Sequence, residues 1–359
     1  MDVKKELRSR LVFIDTCIFI SKHFNFGINS LGRIQQYLND NKIHLLMPDI
    51  TKREIEKKIK ETSIEAHLKL KKLFKKDNDI KILVIAEGLP YSGNPNIPTA
   101  EDIEVKINEK FIEFIESQNV EIVPTDCANI KDIFDSYFSS KPPFSNAQKK
   151  YEFPDAFVLD AINTISKKRK HDLYVISSDP DMKSYTDQYD NLNHLNDIND
   201  LFSLIIHNDE ELKAPAEFAD KVFEYLKDEI LSRALEKFQN AEYTASEYEE
   251  NFIYDVVKNV QIEDIGISNK NLISVSDIES EYEVTFNVKI TVDFAIPSQD
   301  DSIYDRENGK YFYLKYTNFT QSLEKEYQAI ITIDYEDGIK NNADIYEIRF
   351  EDTILDVSQ

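Results

Sequence analysis

At 359 residues the chain exceeds one ordinary core and predicts two domains, with enough Ile, Leu, Val, Phe and Tyr to fill both. It contains no run of about 18 apolar residues, and MDVKKELRSR lacks the apolar stretch of a signal peptide, so a cytoplasmic chain without a membrane partner is expected. The net charge of −24 argues against a polyanionic partner only until the chain is split: residues 1–206 carry 29 Lys+Arg against 32 Asp+Glu, whereas residues 207–359 carry 14 against 35.

In chain order, LVFIDT reads as a strand, LGRIQQYLND as a helix, and KIHLLMP as a second strand stopped by Pro48. From DITKREIEKKI to about Lys76 the apolar residues recur at helical spacing, giving one or two helices. DIKILVIAEG is either a strand or a helix-to-loop connection. GLPYSGNPNIPTAEDI has loop chemistry and ends at a helix start near Thr99. VEIVPTD is a short strand, PDAFVLDAINTISKKRK a helix, and DLYVISSD a β-branched strand that ends on an aspartate. Strands alternating with helices predict an α/β domain, a mainly parallel sheet sandwiched by helices, over residues 1–206.

The character changes at HNDEELKAPAEF, which reads as a joint between domains. AEFADKVFEYLKDEILSRALEKF is an amphipathic helix and TASEYEENFIYDVVKNV a second one, so residues 207–259 form a helical connector. The alternating segments EYEVTFNVKITVDFAIP, KYFYLKYTNF, YQAIITIDYED and DIYEIRF then predict antiparallel strands, an acidic α+β domain over residues 260–359. Tyr311, Tyr313 and Lys315 fall on one strand face; packing is the ordinary role of such aromatics, and base stacking the alternative.

Four acids stand where strands end or helices begin: Asp15 after LVFI, Glu54 in the first turn after HLLMPDI, Asp155 in EFPDAF, and Asp179 after LYVISS. In an open parallel sheet, ligands bind beyond the carboxyl ends of the strands, so all four can collect at one edge. Clustered carboxylates repel and need protons or cations between them; three or four such oxygen ligands suit Mg²⁺ or Mn²⁺. Each acid also has a plain capping role. Asp15 follows a strand and precedes a helix; Thr51-x-x-Glu54 is a capping box; Asp155 follows Pro154 in a first turn; Asp179 before Pro180 is a good N-cap. Asp181 and Glu152 are near enough to be secondary ligands, and Asp49 is either another or an N-cap. Asp160 lies about 140° round the helix from Asp155 and points elsewhere.

The order Asp15, Glu54, Asp155, Asp179, with LVFIDT, EFPDAFVLDAI and VISSDPDM around three of them, resembles the acidic quartet of PIN-domain nucleases. KPPF…KKYEFPDAFVLDAI is similar to a bacterial PIN-like group with an additional C-terminal domain, and the resemblance covers the first 200 residues or so. Ser178 stands where that family often has asparagine. The resemblance implies hydrolysis of phosphodiesters, usually in RNA, with one or two divalent ions in place of a histidine base. It makes Asp15 and Asp155 direct ligands, with Asp179 and Glu54 completing the site directly or through water. Thr16 and Ser177 would orient ligating waters or cap backbone.

Residues 51–76 hold ten basic and four acidic residues, beginning beside Glu54. Lys52, Arg53 and Lys57 would therefore border the site and hold a phosphate backbone, unless they are simply a solvated helix face. KKRKHD, residues 167–172, follows the helix from Asp155 and falls at the opposite end of the sheet. The whole predicts a nuclease, a ribonuclease first, in the setting of a toxin or antiviral defence effector regulated by its C-terminal domain. A DNA nuclease using the same carboxylates and a non-catalytic scaffold binding RNA or protein are the alternatives. A homodimer and a protein partner for the acidic domain are the other expected partners. Cys17 and Cys127 are far apart, and the chain has no Walker loop, GxGxxG, CxxC or HExxH, which excludes nucleotide-driven motors and zinc chemistry.

Overall fold

The computed structural model describes residues 7–27, 30–76, 81–86, 92, 97–145, 151–209, 212–249, 252–255, 257–305, 310–335, 343–350 and 352–358. Much of the expected loop over residues 88–98 lies outside them. The chain divides into two compact units, Met1–Leu201 and Phe202–Gln359.

The first unit runs β1 (Leu11–Ile14), α1 (Thr16–Ser21), α2 (Ser30–Asn39), β2 (His44–Pro48), α3 (Asp49–Lys76), α4 (Lys81–Ile85), α5 (Ala100–Ile115), β3 (Val120–Val123), α6 (Ile130–Phe138), α7 (Phe153–Arg169), β4 (Leu173–Ile176), α8 (Pro180–Thr186), β5 (Leu192–Leu195) and α9 (Ile198–Asn208), within which the division falls. The five strands form one sheet in the order β3-β2-β1-β4-β5, every pair parallel. All four residues of β1 and of β4 are buried, the continuous apolar run that a sheet covered on both faces demands. Leu11 and Phe13 pack with Leu46, Leu173 and Val175 against Val158, Leu159 and Ile162 of α7. Phe19 of α1 meets Phe111 and Phe114 of α5 edge-on, at 6.4 and 5.9 Å between ring centroids. DIKILVIAEG, open between strand and helix, contains the short helix α4. The start expected near Thr99 is a capping box: Thr99 Oγ1 accepts from the Asp102 N–H at 3.1 Å, and the Thr99 N–H donates to the Asp102 carboxylate at 2.9 Å.

The second unit holds α10 (Lys213–Gln239), β6 (Glu242–Thr244), β7 (Ser246–Glu249), β8 (Phe252–Asp255), β9 (Val257–Val275), β10 (Glu279–Asp305), β11 (Lys310–Asp334), β12 (Asp344–Phe350) and β13 (Ile354–Asp356). A four-stranded antiparallel sheet in the order β12-β11-β10-β9 carries it. Every second residue of β10 from Tyr282 to Val292 is buried, in one core with Val222, Phe223, Leu226, Ile230 and Phe238 of α10. Two differences from expectation follow. The amphipathic helix is the second unit's own core helix rather than a connector. TASEYEENFIYDVVKNV, expected as a helix, holds strands β7 and β8, which pair with each other, and the start of β9, for which the long β10 offers a ladder, with Val257 opposite Phe294 and Val260 opposite Val292. Tyr311, Tyr313 and Lys315 lie on β11 as expected; the side chains of both tyrosines fall outside the described residues.

Candidate active site

The chain leaves β1 for β2 and β3 on one side and returns to β4 and β5 on the other, so the strand order reverses between β1 and β4. A ligand crevice belongs outside the carboxyl ends of those two strands. Asp15 directly follows β1, and Ser177, Ser178 and Asp179 directly follow β4; the Asp15 N–H donates to the Ile176 carbonyl at 3.0 Å and locks the two ends together. Glu54 sits in the second turn of α3, the helix that follows β2 without a loop. Asp155 stands in the first turn of α7, whose sequence FPDA places proline early and an acid at the positive end of the helix.

Asp15 is 8 % exposed and occupies the N-cap position of α1, yet its side chain makes no capping bond. Its Oδ2 accepts instead from the buried Ser177 hydroxyl at 2.8 Å. Burial raises the Asp15 pKa, the Cys17 thiol and Ser177 hydroxyl pull it partly back, and Asp179 pushes it up. Glu54 Oε2 accepts from Thr16 Oγ1 at 3.1 Å; burial raises its pKa, with Thr16 opposing and Asp15 adding. The strongest perturbation falls on Asp155: burial first, then the charges of Asp15, Glu54, Glu152 and Asp179, push its pKa up to about 8. Glu152 is raised by burial and by Asp181 and Asp179. Asp155 is thus within electrostatic reach of all three other members of the quartet, and buried carboxylates so arranged hold protons until a cation replaces them.

The capping readings divide. Asp179 does cap α8, accepting from the Asp181 N–H at 2.7 Å, while its own N–H donates to Ser177 Oγ at 3.0 Å. Thr51 lies inside α3, which begins at Asp49, and Glu54 spends its bond on Thr16. Asp49 accepts from Thr125. Asp160 accepts from the Asn129 N–H at 2.6 Å and lines a separate cleft with Asn163, Thr164, Lys167 and Tyr189. Arg169, in the KKRKHD cluster, pairs with Glu121 at 2.6 Å, away from the acids. On α3, Lys52 pairs with Glu56 and Lys57 with Glu61, each at 3.7 Å, and Arg53 is exposed.

Two neighbours carried no signal in the sequence. The Cys17 thiol lies 3.6 Å from Ser177 Oγ and accepts from Ser178 Oγ at 3.3 Å; burial and the Asp15 charge raise its pKa. His194, on β5, donates through Nε2 to the Ser177 carbonyl at 2.8 Å, and burial lowers its pKa. An all-oxygen set of carboxylates flanked by hydroxyls has the chemistry of a hard divalent cation site. Among the described residues no three His, Cys, Asp or Glu side chains stand at the spacing that holds a metal ion.

No match to the chain was found among curated proteins or among solved structures. Residues 12–182 match the family model of the PIN domain, a segment that begins inside β1, ends inside α8 and contains all four acids. A five-stranded parallel sheet flanked by helices fits that nuclease-type fold. The first unit of this chain belongs to the PIN-domain family.

Proposed function

We propose that the protein is a divalent-metal-dependent endonuclease that hydrolyses phosphodiester bonds in RNA, with Asp15, Glu54, Asp155 and Asp179 as the carboxylates that hold Mg²⁺ or Mn²⁺. The observation that carries this reading is Asp155, raised to about 8 by burial and by four carboxylates around it. A divalent ion held there supplies charge to offset the scissile phosphate and to acidify a water. The chain's residues supply the rest. Ser177 and Thr16 anchor Asp15 and Glu54, so their hydroxyls act through the carboxylates rather than on the substrate. Asp181 is a secondary contributor beside Asp179. Lys52, Arg53 and Lys57 offer positive charge to the phosphate backbone; the pairs of Lys52 and Lys57 are surface pairs, which exchange readily for a polyanion.

In the cell the reading is of a homodimeric toxin or defence effector whose acidic second unit restrains access to RNA or docks a basic protein. The excess of 35 acidic over 14 basic residues in residues 207–359 supports a role other than nucleic-acid binding for that unit.

The test is cleavage of structured RNA, single-stranded RNA and single-stranded DNA with Mn²⁺, with Mg²⁺ and with EDTA, by the wild type and by Asp155→Asn. Metal-dependent RNA cleavage lost in the variant supports the reading; preference for DNA replaces the substrate. Silence of the full chain and of residues 1–206 alone under every metal overturns it.

A further inference from the structure

A second cleft opens along α7, where Asp160 stands about 140° round the helix from Asp155. It encloses about 660 Å³, the size of a small-molecule site, between α7 and the turn that leads into α6. One wall is a single helix face: Asp160, Asn163, Thr164 and Lys167 follow one another at i, i+3, i+4 and i+7. Ala128 and Ile130 give the facing wall its apolar surface.

The two charged ends of that helix face have unused capacity. Asp160 Oδ2 accepts from the Asn129 N–H at 2.6 Å, and among the described residues Oδ1 has no partner. Burial raises the Asp160 pKa and the Asp132 charge adds to it, against the Asn129 N–H and the Lys167 charge. Further N–H donors at Oδ1 would offset the cost of burying this carboxylate. At the other end, Lys167 pairs with no carboxylate among the described residues; its Nζ lies 4.3 Å from the centre of the Tyr189 ring. Lys167 stands two helical turns beyond Asp160, about 10.5 Å along the axis. Between them Asn163 is fixed at both ends of its amide: Nδ2 donates to Tyr185 Oη at 3.3 Å, and Oδ1 accepts from Asn191 at 3.0 Å.

We propose that this cleft binds a guanosine 5′-phosphate, with the base at Asp160 and the phosphate at Lys167. Guanine is the common base whose edge presents two adjacent donors, N1–H and the 2-amino group, to one carboxylate. Adenine turns a ring lone pair toward the same acceptor, and uracil offers a single N–H between two carbonyls. The span of two turns excludes a free α-amino acid, whose ammonium and carboxylate share one carbon, and suits the reach of a nucleotide from base edge to phosphate. Ala128 and Ile130 offer the base apolar surface, and Thr164 a hydroxyl for the ribose. The guanosine phosphate is either a free nucleotide or a residue of an RNA strand. The site uses none of the four carboxylates, so it stands whether or not the chain cuts RNA.

Calorimetric titration of the full chain in EDTA with GMP, AMP and xanthosine 5′-phosphate reads the base. GMP should bind about tenfold more tightly than AMP. Asp160→Asn keeps an oxygen for the Asn129 N–H and puts an NH₂ donor where Oδ1 was. It should lose GMP affinity about tenfold and gain affinity for xanthosine 5′-phosphate, which carries a carbonyl where guanine has its amino group. A residue serving only the fold would show no such exchange. Lys167→Met should weaken GMP binding and leave guanosine binding unchanged. Competition against GMP by a trinucleotide with a central G, but not by one with a central A, assigns the cleft to a residue of RNA; failure of both to compete assigns it to the free nucleotide. Equal affinities for GMP and AMP, or GMP affinity unaltered in Asp160→Asn, overturn the guanine assignment, and no binding of GMP at millimolar concentration overturns the site. Cleavage measured on the same protein is a separate outcome. Cutting without GMP binding removes the cleft alone, and GMP binding without cutting removes the nuclease alone.

Discussion

Ser177 joins the two strand ends that frame the site: its hydroxyl donates to Asp15 Oδ2 at 2.8 Å and accepts the Asp179 N–H at 3.0 Å. One buried side chain thereby sets the position of one carboxylate and of the backbone that presents another. His194 holds the same residue through its carbonyl.

Ser177→Ala should leave the fold intact but release Asp15, because the hydroxyl is the donor that pins Oδ2. Removing such a supporting bond lowers metal affinity and activity by about 10–100-fold in comparable sites. Calorimetric titration with Mn²⁺ alongside the cleavage rate checks this. An unchanged affinity would show that Asp15 needs no anchor.

The raised carboxylates fix the sign of the pH dependence. Between pH 3.8, the ordinary value of Asp155, and about 8, the folded chain keeps a proton that the unfolded chain has released. The unfolded state binds fewer protons there, so stability in EDTA falls as pH rises through that window. Asp15 and Glu54, both raised, act in the same direction. Asp155→Asn removes its share of the slope and should exceed the wild type at pH 8 by on the order of 2–5 kcal/mol, with little difference at pH 4. Urea denaturation at the two pH values measures it; a variant less stable than wild type at pH 8 would sink the argument.

Divalent ions should reverse that deficit by taking the proton's place. Mn²⁺ at about a hundredfold excess over its dissociation constant should add about 2.7 kcal/mol, visible as a rise in Tm that EDTA abolishes. Affinity should strengthen as pH approaches 8, since binding expels a proton. Asp155→Asn should show neither effect in a thermal melt.

In the second unit, Phe238 of α10 is fully buried, 4.6 Å from Phe350, 5.5 Å from Tyr327 and 5.8 Å from Phe286 between ring centroids. Phe238→Ala should destabilise that unit by about 3–5 kcal/mol. Hydrogen exchange of the β10 and β11 amides reads this directly; protection equal to wild type would mean that α10 is no core element.

The strands that frame the site were legible because LVFI and LYVI are unbroken apolar runs, the first followed directly by Asp15 and the second, after two serines, by Asp179. Asp15, Asp155 and Asp179 stood out in the sequence as acids near element boundaries, whereas Glu54 lies in the second turn of α3. What sequence could not carry was strand order: nothing in β1 or β4 says that they are neighbours, so the Ser177–Asp15 bond across 162 residues was invisible. Thr16 with Glu54 and His194 with Ser177 also pair across elements, over 38 and 17 residues. Residues 244–260 misled because Phe252, Val256 and Val260 recur at helical spacing, while β7 and β8 pair with each other and the start of β9 pairs with β10, which lies further along the chain. The lengths of β10 and β11 were hidden likewise, since the polar tract around Pro297 breaks the alternation without ending the strand.

The central place of β1 in the sheet has a consequence for synthesis. One edge of β1 pairs with β2 early, but the other waits for β4, and the parallel pairing of Leu11 with Leu173 spans most of the first unit. A chain emerging from the ribosome therefore carries Asp15 and Glu54 long before Asp155 and Asp179 exist to meet them. Truncated or stalled products end without the second half of the acidic cluster, so the four carboxylates come together only when translation of the domain is complete.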